Sequence, residues 1–351
     1  MAAGAPWRIA AALAVVVLAG LAAWAEPVHD LAAHVAHGRM SDIGLYQAVA
    51  RQVGQGADYY ASAIHLQRAN LFPLHPFVTV RLPTLAWLVG LVGFGGALAL
   101  AGALIAANAV IWFGALPFAR PAERIGMVAL LLLGSIMVPR AVYLHEWWAG
   151  QLLTGALGLF LRDRPRPAIA LAIAALFLRE LSALFVLASL PFLARERRRP
   201  ELLAIVVALA AFGLALLLHR ARVAALVLPT DLFSPGWLGL RGPAGPSADL
   251  QGMVLFGLVP EPMGSLLVFA PLLGWAEVAA RRSALPLVWF GGFLAALALL
   301  ARPDNGYWVR MILPAYMAGL ALAPRALLAL APLRRPSARG GGTAGSPAAR
   351  G

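Results

Sequence analysis

Apolar runs cut off by arginine or proline recur along almost the whole chain, and this alternation limits the fold more than any other feature. A membrane-crossing helix takes roughly 20 apolar residues, the number needed to traverse the hydrocarbon core. On that basis the sequence predicts helices at about 8–25, 94–117, 125–139, 147–161, 168–178, 181–194, 202–218, 263–279, 284–300 and 309–323. Two of them, 168–178 and 181–194, are too short to span an unperturbed bilayer alone, so they are expected to dip toward a water-filled cavity. Arg81, Pro83, Gly90 and Gly93 interrupt the apolar stretch 76–93, which reads as an interfacial helix ahead of the second span. Charged residues make up 12% of the chain and apolar ones 61%. A soluble domain carries about 25% charged residues, so a soluble enzyme is excluded. The absence of cysteine excludes a disulfide framework, a thiolate metal site and a cysteine nucleophile. The expected fold is all-α: a polytopic bundle of about ten transmembrane helices with a long first outer loop. Residues 1–333 form one membrane-embedded domain, and the Gly-, Ala-, Ser-, Pro- and Arg-rich segment 334–351 is expected to be a disordered cytoplasmic tail.

All 28 cationic side chains are arginine, and the net charge is +13. They punctuate apolar runs and line no single face, so the charge reads as membrane topology and not as a nucleic-acid surface. With both termini inside, the inner segments hold 17 arginines and five acids, whereas the outer ones hold 11 arginines and ten acids. That asymmetry is the one the positive-inside rule expects. Arginine-only usage with abundant Ala, Gly and Pro points to a GC-rich bacterial genome, hence to a bacterial inner membrane. The first helix also carries signal-peptide features, with Arg8 ahead of the apolar run and Ala23-Trp24-Ala25 after it; the expectation is an uncleaved anchor.

All seven histidines and ten of the fifteen acids fall on the outer side, so chemistry is expected there. In the first outer loop Asp42 and Tyr46 lie four apart and would share a helix face. Asp42 could act as a general base, but Ser-Asp is also a common helix start, and a capping role competes. The same loop carries Asp58, Tyr59 and Arg81. A second outer element runs from Arg140 through His145-Glu146-Trp147-Trp148 to Gly150-Gln151. His145 and Glu146 could hold a substrate; a divalent metal is only weakly supported, because the spacing is not that of a helical zinc site. The competing reading is a polar helix start with Trp147 and Trp148 in an interfacial aromatic belt. Arg179-Glu180 sits between two short apolar runs, where charge is costly and function or pairing is expected, for example Arg179 with Glu146. The last outer segment offers Tyr307 and Arg310, and 229–249 is expected to be mobile and to cover a site.

Asp42-x-x-x-Tyr46-x-Ala48, then Gly56-x-Asp58-Tyr59-Tyr60 and a proline-rich approach to the second span, resembles the first periplasmic loop of GT-C glycosyltransferases. It is most similar to glycosyltransferase family 87, the polyprenyl-phosphate-mannose type. Gly150-Gln151, the basic loop 162–166, run 168–178, Arg179 and run 181–194 match that family in layout, over about residues 8–200. The resemblance implies an inverting transfer at the periplasmic face, from a polyprenyl-phosphate sugar donor to a lipid or glycan acceptor. By it Asp42 is the catalytic base and Arg179 handles the lipid phosphate. Tyr46, Asp58, Tyr59, Arg81, His145, Glu146, Gln151, Glu180, Tyr307 and Arg310 are the candidate substrate contacts. The alternatives are a transporter or flippase of an anionic lipid or sugar phosphate, which intramembrane Arg and Glu also suit, and a non-catalytic subunit of an envelope-assembly complex.

Overall fold

The computed structural model describes residues 5–24 and 40–330, so the expectations for the outer stretch 26–39, with three of the histidines, and for the tail 334–351 lie outside the described residues. The chain is all-α, with no strand among the described residues. Helix α1 is Ala5–Trp24, α2 Asp42–Gly54, α3 Tyr59–Ala69, α4 Thr84–Phe113 and α5 Pro121–Ser135. They are followed by α6 His145–Leu161, α7 Pro165–Leu178, α8 Ala183–Arg195, α9 Arg199–Ala224 and α10 Ala244–Met253. Helices α11 Met263–Phe269, α12 Pro271–Arg281, α13 Leu285–Leu300, α14 Leu313–Ala318 and α15 Ala323–Leu328 are the last among the described residues.

Five helical stretches, 6–24, 77–113, 199–224, 263–281 and 313–330, are long and apolar enough to cross a membrane. The other expected spans form helices of 13 to 17 residues, α5 to α8 and α13, below that length. Burial explains one of these cases. Helix α6 is apolar on every side and almost wholly buried, which marks a helix packed by protein and not by lipid. Its glycines let neighbours close in: a Cβ at Gly155 would meet Asn108 Oδ1 at 2.7 Å, and one at Gly158 the Trp112 ring at 2.9 Å, both on α4. Trp147 and Trp148 are buried too, at 2% and 4% exposure, and donate to the carbonyls of Ser135 and Val142. The expected aromatic belt is therefore corrected: both indoles belong to the interior.

Two breaks fall where the sequence placed them. Helix α4 loses helical geometry at Gly93 (φ 70°, ψ 176°), a left-handed conformation that glycine adopts without a Cβ penalty, dividing the 84–92 stretch from the apolar helix after it. Between α7 and α8, Arg179 is extended and a 3₁₀ turn covers Glu180–Ser182, making a helical hairpin whose tip is charged.

The segment expected to be mobile over 229–249 is instead pinned. Arg68 donates from Nε and Nη2 to the two Asp231 oxygens, both at 2.7 Å, and Ser234 N donates to His75 O at 2.7 Å. These Arg68 bonds hold the Asp231 carboxyl down at about 2, so the clamp stays charged at neutral pH. Further on, Leu240 and Gly242 donate to the end of α13, and Arg241 grips Asp249 at 2.8 Å.

Every ion pair among the described residues joins two residues assigned to the same side of the membrane. Arg8 and Arg281 meet Glu277, Arg282 meets Asp163, Arg325 meets Glu123, Arg166 meets Glu201 and Arg198 meets Glu196, all from the inner set. Arg68, Arg81, Arg179, Arg241 and Arg302 meet only acids of the outer set. The two charge sets occupy separate regions of the fold, most of these pairs linking residues far apart in sequence.

Candidate functional site

Helix α2 sets the first side chains. Its N-cap is Ser41, whose hydroxyl accepts from Gly44 N at 3.2 Å. Asp42 is therefore the first helical residue and its carboxylate is not the cap, which removes the competing reading for it. One turn on, Tyr46 lies on the same face, and its hydroxyl accepts from Arg81 Nε at 3.2 Å. Tyr59 fixes the Arg81 backbone by donating to its carbonyl at 2.6 Å. Asp42 is half-buried, and burial raises its pKa above the usual 3.8, against the pull of Arg81 and the Tyr307 hydroxyl and with the push of Glu146 and Asp304. Burial likewise pushes the Tyr46 phenol to about 12, so it stays neutral and available as a donor.

The start of α6 and the tip of the α7–α8 hairpin supply the rest. Arg179 Nε lies 2.7 Å from Glu146 Oε1, and the two side chains are 1% and 0% exposed. Arg179 also pairs closely with Glu180, its neighbour in sequence. Adjacent residues on a helix diverge, and this pairing is possible because Arg179 is extended (φ −148°, ψ 116°). Arg81 joins the same acids, with Nη1 at 3.6 Å from Glu180 and Nη2 at 3.9 Å from Glu146. Trp308 completes the enclosure: the Arg179 guanidinium sits 5.5 Å from its ring centroid, a cation–π distance. His145 meets Tyr46 edge to face at 4.9 Å between ring centroids.

The cluster is paired in charge and unfinished in hydrogen bonding. Both Glu146 oxygens, both His145 ring nitrogens, and the Nε atoms of Arg179 and Arg310 are buried without a hydrogen-bond partner, as is Trp308 Nε1. The Arg179–Glu146 contact is close enough for an ion pair but not aligned as a hydrogen bond. Buried polar groups are nearly always satisfied, so this many open donors and acceptors in one place mark where a polar ligand or water belongs.

Three candidates lie elsewhere or act indirectly. Asp58 is exposed and is the N-cap of α3, accepting from Ala61 N at 2.9 Å, so its expected substrate contact is corrected to a helix cap. Gln151 ties helices together: its side-chain oxygen accepts from Asn108 at 3.0 Å and from Ser135 at 3.4 Å. Tyr59 supports Arg81 through the backbone alone. The sequence reading passed over Trp308 and Asp304. For Trp308, nothing local distinguishes an interfacial anchor from a platform for a cation 129 residues earlier. Among the described residues no group of three His, Asp or Glu side chains gathers as a metal site requires.

Gly150 explains how the 3₁₀ segment Pro303–Met311 reaches the site. A Cβ there would lie 2.2 Å from Arg310 O and 3.0 Å from Met311 Cα, so the missing side chain is what lets this segment cross α6 and deliver Tyr307, Trp308 and Arg310. Gly150→Ala should displace backbone and destabilise the protein by about 1–3 kcal/mol, the usual cost of overpacking. Gly102→Ala, where a Cβ meets nothing within 4 Å, is the control and should leave thermal melting in detergent unchanged or raised.

The chain matches no protein-family model, no characterised protein and no solved structure.

Proposed function

We propose that the protein is an inverting glycosyltransferase of the GT-C type, with about ten membrane helices, that acts at the periplasmic face of a bacterial inner membrane. A polyprenyl-phosphate sugar is the donor, and a lipid or glycan hydroxyl is the acceptor. The observation that carries this reading is a half-buried carboxylate, Asp42, with its pKa raised by burial against the pull of Arg81, which itself joins Glu146 and so the buried Arg179 cluster with its open hydrogen-bonding atoms. In the transfer, Asp42 takes the proton of the acceptor hydroxyl. The acceptor oxygen bonds to the anomeric carbon while the bond from that carbon to the phosphate oxygen breaks, and the electron pair leaves with the phosphate. Arg179, Arg81 and Arg310 offset the charge that builds on that oxygen. Tyr46 and Tyr307 remain protonated donors to sugar hydroxyls. Only ionised Asp42 can accept the proton, so activity should rise with pH through a midpoint above 3.8.

The assay is transfer of radiolabelled sugar from a polyprenyl-phosphate donor by the purified full chain, read as a new covalent product. Movement of label across proteoliposomes with no new glycosidic bond would replace this reading by the transporter one, which the buried Arg179–Glu146 pair also suits.

The segregation of inner and outer ion pairs supports the two-sided assignment, and the arginine excess of the inner set supports its orientation. Reporter fusions after residue 198 should be cytoplasmic and those near residue 60 periplasmic. A periplasmic signal at 198 would place the cluster on the wrong side for a periplasmic enzyme.

A further inference from the structure

A groove of about 500 Å³ opens between α2 and the broken first half of α4, lined by Gln47, Arg51 and Gly54 of α2 and separate from the cavity beside Tyr46. Its floor is a backbone contact: a Cβ at Gly54 would lie 2.9 Å from Gly90 O, so the two glycines let the helices touch. The break at Gly93 then opens space above that contact, where a Cβ would meet nothing within 4 Å. Phe94, stacked on Tyr143 with ring centroids 6.0 Å apart, forms one wall.

Two guanidiniums flank this groove. Arg51 on α2 and Arg140 after α5 both line it, both are exposed, and neither faces an acid among the described residues. By contrast, Arg68, Arg81, Arg179, Arg241 and Arg302 on the same side are each matched to a carboxylate. Alongside the groove, α4 exposes a greasy face, with Trp87 at 55%, Leu91 at 86% and Phe94 at 42%. An anion with an apolar tail satisfies both features, the arginines through its charge and the α4 face through its tail.

We propose that this groove binds the phosphate head group of an anionic glycerophospholipid of the surrounding leaflet, with its chains laid along α4. Two free phosphodiester oxygens give each guanidinium one charge-assisted partner. A reacting donor is not the occupant, because Ala50, Val89 and Tyr143 line both this groove and the separate cavity beside Tyr46, Arg81 and His145. That shared wall keeps a phosphate in the groove away from Asp42. The proposal is independent of glycosyl transfer and is tested by binding alone.

The full chain is released for native mass spectrometry from nanodiscs containing phosphatidylglycerol and phosphatidylcholine in equal amounts. Wild type should retain phosphatidylglycerol preferentially, and the double variant Arg51→Gln/Arg140→Gln should lose that preference by roughly tenfold or more, two surface arginines' worth of attraction to anionic lipid. Both positions are exposed and pair with no acid among the described residues, so the variant should elute and melt like wild type. Arg220→Gln/Arg222→Gln, which removes two other exposed outer arginines, should keep the preference. Equal retention of the two lipids by wild type would overturn the proposal, as would an unchanged preference in the Arg51/Arg140 variant or an equal loss in the control. Displacement of phosphatidylglycerol by an equal mole fraction of polyprenyl phosphate would overturn it too, and would assign the groove to the isoprenoid.

Discussion

Asp42→Asn should cut turnover by roughly 10²–10⁴-fold, the usual worth of general-base assistance, while leaving donor binding close to wild type. The substitution keeps the shape and the hydrogen-bonding reach of the side chain and removes the basic oxygen. It does not touch the helix start, because Ser41 and not Asp42 satisfies the Gly44 amide. A loss of activity therefore cannot be blamed on an uncapped α2. Full turnover in folded Asp42→Asn protein at saturating donor would end the base assignment and turn attention to Glu146 and Glu180, which share the same arginines. The pH profile offers a second reading of the same residue. Burial disfavours the charged form of Asp42, so its share of folding stability is fully present below 3.8 and is lost as pH rises through the raised pKa. Activity runs the opposite way, since the ionised form is the base. Asp42→Asn should abolish both trends together.

The charged site was legible in the sequence where cost made it so. Arg179-Glu180 between two short apolar runs had to be paired or functional, because isolated charge at that depth is too expensive. The pairing of Arg179 with Glu146 follows from the same cost. Asp42 and Asp58 look alike in the sequence, since each stands at the start of a helix. What separates them is the residue before: Ser41 takes the cap and frees Asp42, whereas Ala57 cannot, so Asp58 takes it. Hydropathy failed at Trp147 and Trp148, because an apolar helix scores the same whether lipid or protein surrounds it; the burial of α6 was the missing fact. The pinning of the 229–242 segment was equally hidden, since Arg68 and Asp231 stand 163 residues apart and neither is distinctive in its own surroundings. The orphaned ring nitrogens of His145 and the platform under Arg179 are likewise products of tertiary packing, which no local spacing encodes.

Arg179→Ala should be the most damaging change at the site. It leaves Glu146, fully buried, with Arg81 as its nearest cation at 3.9 Å, and stranding one member of a buried pair costs about 3–5 kcal/mol. Donor binding should weaken as well, through lost charge-assisted bonds to the phosphate. The single variant cannot separate the two effects, but a double one can. Arg179→Leu with Glu146→Gln removes both charges and leaves a polar side chain at 146 and an apolar one at 179. Buried pairs replaced together are often tolerated, so thermal melting should return most of the way toward wild type. Glu180 keeps a partner in Arg81, which limits the disturbance to the pair itself. Donor affinity should stay low, because the cation that meets the phosphate is still missing. Recovery of both stability and donor binding in the double variant would mean that Arg179 serves only to neutralise Glu146, and the phosphate role would pass to Arg81 and Arg310.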